Sequence, residues 1–153
     1  MVNVNNLLAE YTIGERNFAG VNLIGVCLSR ANLKEINLQN ASLIGVNLSA
    51  ADLTAADLSN TNLIGANLSA ANLVGANLAN ADLIGANLGG AKLANANLQG
   101  TILNGGNLSG ANLSGANLTR ASLKGANFSG ACLNAILKEA NLQNANLNSA
   151  SLA

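Results

Sequence analysis

Few side chains in this sequence could do chemistry. The 153 residues include two cysteines, Cys27 and Cys132, seven acidic residues, seven basic residues and no histidine. Without imidazole there is no histidine-based triad, no histidine metal ligand and no acid–base group that titrates near neutrality. Two thiols could form a disulfide or help hold a metal, but only if the fold brings them within a few ångströms of each other. The aspartates Asp52, Asp57 and Asp82 could supply a carboxylate pair for general acid–base work, again only if they share a cleft. Each of these readings depends on the elements that place the residues.

Those elements are repeats of five. From Phe18 to Leu133 every fifth residue is Leu, with Phe18 and Phe128 as the exceptions. The phase then slips: Leu137 follows Leu133 by four, and Leu142, Leu147 and Leu152 continue the period, giving 28 units with one residue deleted after Asn134. Two residues before the central Leu, 20 of the 28 units carry Ala, and one residue before it 20 carry Asn or Asp. Alternate side chains of an extended segment point to opposite faces. Ala and Leu therefore share a buried face, and Asn or Asp points the other way. The two residues after Leu are rich in Ser, Gly, Ala and Asn, which suit a turn. Each unit is a three-residue strand segment and a corner.

A longer period sets the cross-section. Ile24, Ile44, Ile64 and Ile84 recur every 20 residues, followed by Gly25, Gly45, Gly65 and Gly85. Asn40, Asn60 and Asn80 form a second such series. Twenty residues are four units, so the spacing predicts an all-β solenoid with four sides and about seven coils. At ~4.8 Å per coil it is roughly 34 Å long. The Gly and Asn columns predict type II corners, whose third residue needs positive φ. The other corners are expected to be looser.

This frame decides the chemistry. Cys27 and Cys132 both take the outward position and stand just over five coils apart, roughly 25 Å. They are too far apart to pair or to share a metal. Asp52, Asp57 and Asp82 fall on three different sides, where each replaces Asn, and a packed square core offers no cleft. The sequence thus points to no catalytic residue, no metal, no cofactor and no enzyme.

Composition agrees. Half of the residues are hydrophobic but only 2% are aromatic, so the core is a uniform stack of Leu and Ala. Net charge is zero and 9% of residues are charged, which argues against nucleic acid or an anionic membrane as partner. The first residues lack a basic start and a long apolar run, and no stretch of ~18 apolar residues occurs. The expectation is a cytoplasmic interaction or scaffold module whose partner is another, unknown protein. The regular Thr arrays that an ice-binding face would need are absent.

Runs such as Ala66-Asn-Leu-Ser-Ala-Ala-Asn-Leu-Val-Gly-Ala-Asn-Leu resemble the pentapeptide repeat family, whose motif is A(D/N)Lxx. The resemblance covers about Arg16 to Ala153. It implies a right-handed quadrilateral β-helix and a family abundant in cyanobacteria. It also implies an alternative function, because some members mimic duplex DNA and act on DNA gyrase. Such mimicry needs a strongly acidic surface, which a net charge of zero does not provide. Hexapeptide helices and leucine-rich repeats have other periods.

The ends break the pattern. Val4, Leu7, Leu8 and Tyr11 have helical spacing, with Asn3 to cap the start and Gly14 the end. A helix over about 4–13, within a cap of residues 1–15, is expected to cover the solenoid of residues 16–153. The segment Leu7 to Phe18 resembles the lead-in of many family members. Arg16 stands where an inward Ala belongs and marks the boundary. No cap pattern follows the last coil, so Leu142, Leu147 and Leu152 are expected to form an open end. End-on homodimerisation known in some members would cover it. The deletion after Asn134 calls for a bulge, a bend or a short helical turn. The column Ile24, Ile44, Ile64 and Ile84 predicts an apolar stripe that stabilises strand stacking or meets a partner.

Overall fold

A backbone N–H group buried without an acceptor is costly, so each five-residue unit must place five of them. In the computed structural model, which describes residues 3–153, the unit around Leu68 shows how. Leu68 N–H donates to Asn87 C=O in the next coil (2.7 Å), and Ala70 N–H to Gly89 C=O (2.9 Å). Asn67 N–H donates to Val46 C=O in the preceding coil (2.9 Å), and Ala71 N–H closes the corner on Leu68 C=O (3.0 Å). The fifth donor, Ser69 N–H, goes to the Asn67 side-chain Oδ1 (3.1 Å). The outward Asn is therefore also the acceptor that completes the corner.

These bonds link parallel single-residue rungs at an offset of 20 residues, so four units make one coil. One side is the column Cys27, Asn47, Asn67, Asn87, Asn107, Asn127 and Asn146, and each of the four sides carries seven such rungs. The central Leu residues from Leu33 to Leu123 are wholly buried, with Ala between them. Thr61 and Thr101 replace two of these alanines, and their hydroxyls donate to Leu58 C=O (2.7 Å) and Leu98 C=O (2.8 Å).

The corners correct the expectation of mixed turn types. The second residue after Leu has positive φ at Gly and Asn and equally at Arg30, Glu35, Ala50, Ala55, Ala70, Arg120, Glu139 and Ser149. A closed square must turn the same way at each corner, and the ladder imposes αL on residues that disfavour it.

The exception is the slip. Asn112 pairs with Cys132 at an offset of 20, but Asn117 pairs with Ile136 at 19. The corner there closes over three residues, with Ala135 N–H on Leu133 C=O (2.9 Å). The deletion is absorbed in that one tightened bend, and the ladder continues on all four sides.

Helix α1 spans Val4–Thr12 and lies over the first coil. Asn3 Oδ1 accepts Asn5 N–H (2.9 Å), and Gly14, at φ 109°, donates to Tyr11 C=O (3.0 Å). Leu7 and Tyr11 are buried, while Val4 and Leu8 pack partly against the same core. At the opposite end none of the described residues packs over the last coil. Leu137, Leu142 and Leu147 are half-buried, and Leu152 is 60% exposed. No helix of the described residues is long and apolar enough to cross a membrane.

Candidate interaction surfaces

The residues with reactive side chains stay apart. Cys27 and Cys132 are free, exposed and in the ladders of different sides. The Ser29 hydroxyl, 3.4 Å from Cys27 Sγ, and then the Ser29 N–H hold the thiol below its ordinary value. Asp52 Oδ1 accepts the Thr54 N–H (3.1 Å) and hydroxyl (2.6 Å), and Asp57 Oδ1 those of Ser59 (3.0 and 2.6 Å). Asp82 Oδ1 accepts Ile84 N–H (3.1 Å). Each aspartate thus serves its own corner, as Asn does elsewhere. Among the described residues no three of Cys, Asp or Glu come together as a metal site would require.

The isoleucine column stacks one residue per coil. Gly25 N–H donates to Ile44 C=O, Gly45 N–H to Ile64 C=O and Gly65 N–H to Ile84 C=O, each at 2.9 Å. Ile24 is 52% exposed, Ile44 and Ile84 are also exposed, and Ile64 is half-buried. Ile102, in the next coil of the same side but at the ladder position paired with Asp82, is a further exposed isoleucine that was missed in the sequence. Its signal was an apolar residue at a position that usually carries Asn. Beyond it the column turns polar. Asn104 Oδ1 accepts the Ser122 hydroxyl (2.7 Å) and Lys124 N–H (3.1 Å), doing for that corner what Ser122 is too short to do.

The open end is a second surface. Leu142, Leu147 and Leu152 lie together on the last coil, and the N–H groups of Leu142, Asn144, Leu147 and Ser149 have no backbone acceptor among the described residues. An unpaired edge over apolar side chains is a template for pairing with another chain.

A third surface had no sequence signal. A groove of about 620 Å³ runs between α1 and the first coil, with Tyr11, Arg16, Cys27 and Ser29 among its walls. The Arg16 guanidinium lies 3.9 Å from the Tyr11 ring centroid. Glu15 Oε1 accepts the N–H groups of Asn17 (2.7 Å) and Arg16 (2.8 Å), which hold its carboxyl below the ordinary value.

The sequence matches the model of pentapeptide repeats in eight copies, over residues 31–70, 71–110, 107–135 and 134–153. Among solved structures, it is 32% identical to HetL of the cyanobacterium Nostoc sp. strain PCC 7120, a pentapeptide repeat protein involved in heterocyst differentiation regulation. That match covers 99% of this chain and 93% of HetL, with a TM-score of 0.43. It is also 32% identical to the pentapeptide repeat protein Rfr23 of the cyanobacterium Cyanothece 51142, covering 97% of this chain and 95% of that one, with a TM-score of 0.43. QnrB1, a plasmid-mediated fluoroquinolone resistance protein, is 17% identical over 91% of this chain and 87% of its own, with a TM-score of 0.42. No curated protein matches.

Proposed function

Because the chain belongs to the pentapeptide repeat family, we propose that it is a rigid, non-enzymatic module that binds another protein through the isoleucine stripe. The observation that carries this reading is the row Ile24, Ile44, Ile84 and Ile102. It is apolar and exposed, and each residue belongs to a different coil of a hydrogen-bonded stack. A stripe on a rigid ladder loses little conformational entropy on binding. We take the winding to be right-handed, as in the family, and the compartment to be the cytoplasm. Zero net charge argues against nucleic acid and membrane as partners. The open end at Leu142, Leu147 and Leu152 is proposed to pair with the same end of a second copy.

Capture from the native host with wild type and with the Ile44→Ser/Ile64→Ser double variant tests the stripe. The double variant is expected to fold and to lose the captured protein. Retention of that protein would remove the stripe from the reading. Sedimentation equilibrium tests the end. Wild type is expected to be a dimer, and Leu142→Asn/Leu147→Asn a monomer. A monomeric wild type would exclude the end-on pair.

A further inference from the structure

The first coil has no coil beneath it, so its lower backbone edge depends on α1 for partners. Among the described residues that cover is incomplete. The Tyr11 hydroxyl donates to Lys34 C=O (2.9 Å). The Cys27 N–H, the Cys27 C=O and the Ser29 C=O take no backbone hydrogen bond from the described residues. The corresponding groups one coil further on are all paired. Asn47 N–H donates to Val26 C=O (2.9 Å), Asn47 C=O accepts Leu28 N–H (2.7 Å), and Ser49 C=O accepts Arg30 N–H (2.9 Å). The Cys27–Ser29 segment is therefore an edge that leaves one donor and one acceptor at the ladder residue Cys27 and a second acceptor at the corner residue Ser29, and the groove lies along it.

The other wall of the groove is helical, from Leu8 and Tyr11, and Arg16 lines it as well. Arg16 Nη1 donates to Tyr11 C=O (2.8 Å) and Glu15 C=O (2.9 Å), which fixes the guanidinium. Its Nε and Nη2 make no hydrogen bond, and it forms no ion pair, among the described residues. The neighbouring Glu15 carboxylate is turned to backbone N–H groups instead. The half-buried cation thus keeps a free side-on fork of the kind that grips a carboxylate with two parallel bonds.

We propose that this groove binds an extended, carboxylate-bearing peptide segment of a partner protein, which adds one strand to the Cys27–Ser29 edge and sets its carboxylate on Arg16. A β-edge recognises backbone, and alternate side-chain pockets add selectivity. Here the selectivity is for negative charge, because the groove offers a cation with no direct ion-pair partner among the described residues. One side of the solenoid has room for about three extended residues, ~10 Å of chain. The site is separate from the isoleucine stripe.

The test is an NMR titration of the isotopically labelled full chain with three acetylated, amidated peptides. These are Val-Thr-Glu-Val-Thr, its Gln analogue, and the Glu peptide with its central amide N-methylated. The Glu peptide is expected to shift the Cys27 and Ser29 amides and to slow hydrogen exchange at Cys27. The Gln analogue is expected to bind about 10-fold more weakly, the loss of one charge-assisted pair. N-methylation is expected to abolish the shifts. Arg16→Lys should keep a preference for Glu over Gln, and Arg16→Gln should lose it with α1 still folded by circular dichroism. Absence of shifts at Cys27 and Ser29 with millimolar peptide would overturn the proposal. So would equal affinity for Glu and Gln peptides, or shifts confined to Leu142–Ser149. Ile44→Ser/Ile64→Ser should leave the titration unchanged, which separates this site from the stripe.

Discussion

Leu68 and Leu147 hold the same place in the same five-residue unit, on the same side of the solenoid, four coils apart. Leu68 is wholly buried, and its N–H donates to Asn87 C=O (2.7 Å). Leu147 is half-buried, and its N–H has no backbone acceptor among the described residues. The Ala-Asn-Leu triad is the same in both places, so the difference in burial comes from the neighbours. In a quasi-one-dimensional stack, stability belongs to the contact between coils. Leu28, on the same side of the first coil, shows the remedy. It too is next to an end, yet it is 3% exposed, because α1 replaces the missing coil.

The largest expected effect tests this contrast directly. Leu68→Asp buries an unpaired carboxylate, at a cost of several kcal/mol against a total stability of ~5–15 kcal/mol. It should abolish the folded state by circular dichroism. Leu147→Asp should separate the end-on pair, turn its charge to water in the monomer and there loosen only the last coil, seen as faster amide exchange after Ala135. Similar losses from both would show that the coils do not differ in this way.

The helix and the open end provide the next test. Leu7 is wholly buried under α1, and Leu7→Ala should cost ~2–5 kcal/mol in urea unfolding. Leu152, at 60% exposure, should cost less than ~1 kcal/mol when changed to Ala. A smaller effect follows at the corners. Ala70 is held at φ 55° and Ser149 at φ 60°, where Gly is more comfortable. Ala70→Gly should gain up to ~1 kcal/mol in global stability. Ser149→Gly should tighten only its own corner, with no change in the global midpoint.

The smallest effect is electrostatic. Burial works against the Asp52 anion, but the Thr54 hydroxyl and N–H outweigh it, with help from Lys34 at 3.4 Å. The folded carboxyl therefore sits below its ordinary value of 3.8. Its contribution is complete above that value and disappears as pH falls through the lower, folded one. Melting temperature measured against pH should fall on the acid side, and Asp52→Asn should flatten that limb while changing little at pH 7. An unchanged limb would show that Asp52 carries none of the acid sensitivity of the closed coils.

Much of this molecule could be read from spacing alone. Leu and Ala alternate across one face, and the 20-residue columns stack as coils, because both patterns are local or keep one spacing up to the deletion after Asn134. The stretch Val4 to Tyr11 was readable as a helix because its apolar spacing is helical. Three features were not readable. The Asn side chain appeared only as an outward polar group, because the donor it satisfies is exposed only when the corner closes. Arg30, Glu35 and Ala50 gave no sign of positive φ, since their own preference is the opposite. Arg16 looked like a flaw at the boundary. Stacked on Tyr11 and anchored on two carbonyls, it is the charged wall of a groove.

The sequence by itself determined the unit, the number of units per coil and the residues that point inward. These follow from a period and a burial face, and a strand register shifted by one residue would turn its Leu outward. Only the tertiary structure decided the conformation of each corner, the three-residue bend that restores the ladder after the deletion, and the groove beneath the first coil. Those features arise where closure of the square or the end of the stack overrides what each residue would do alone.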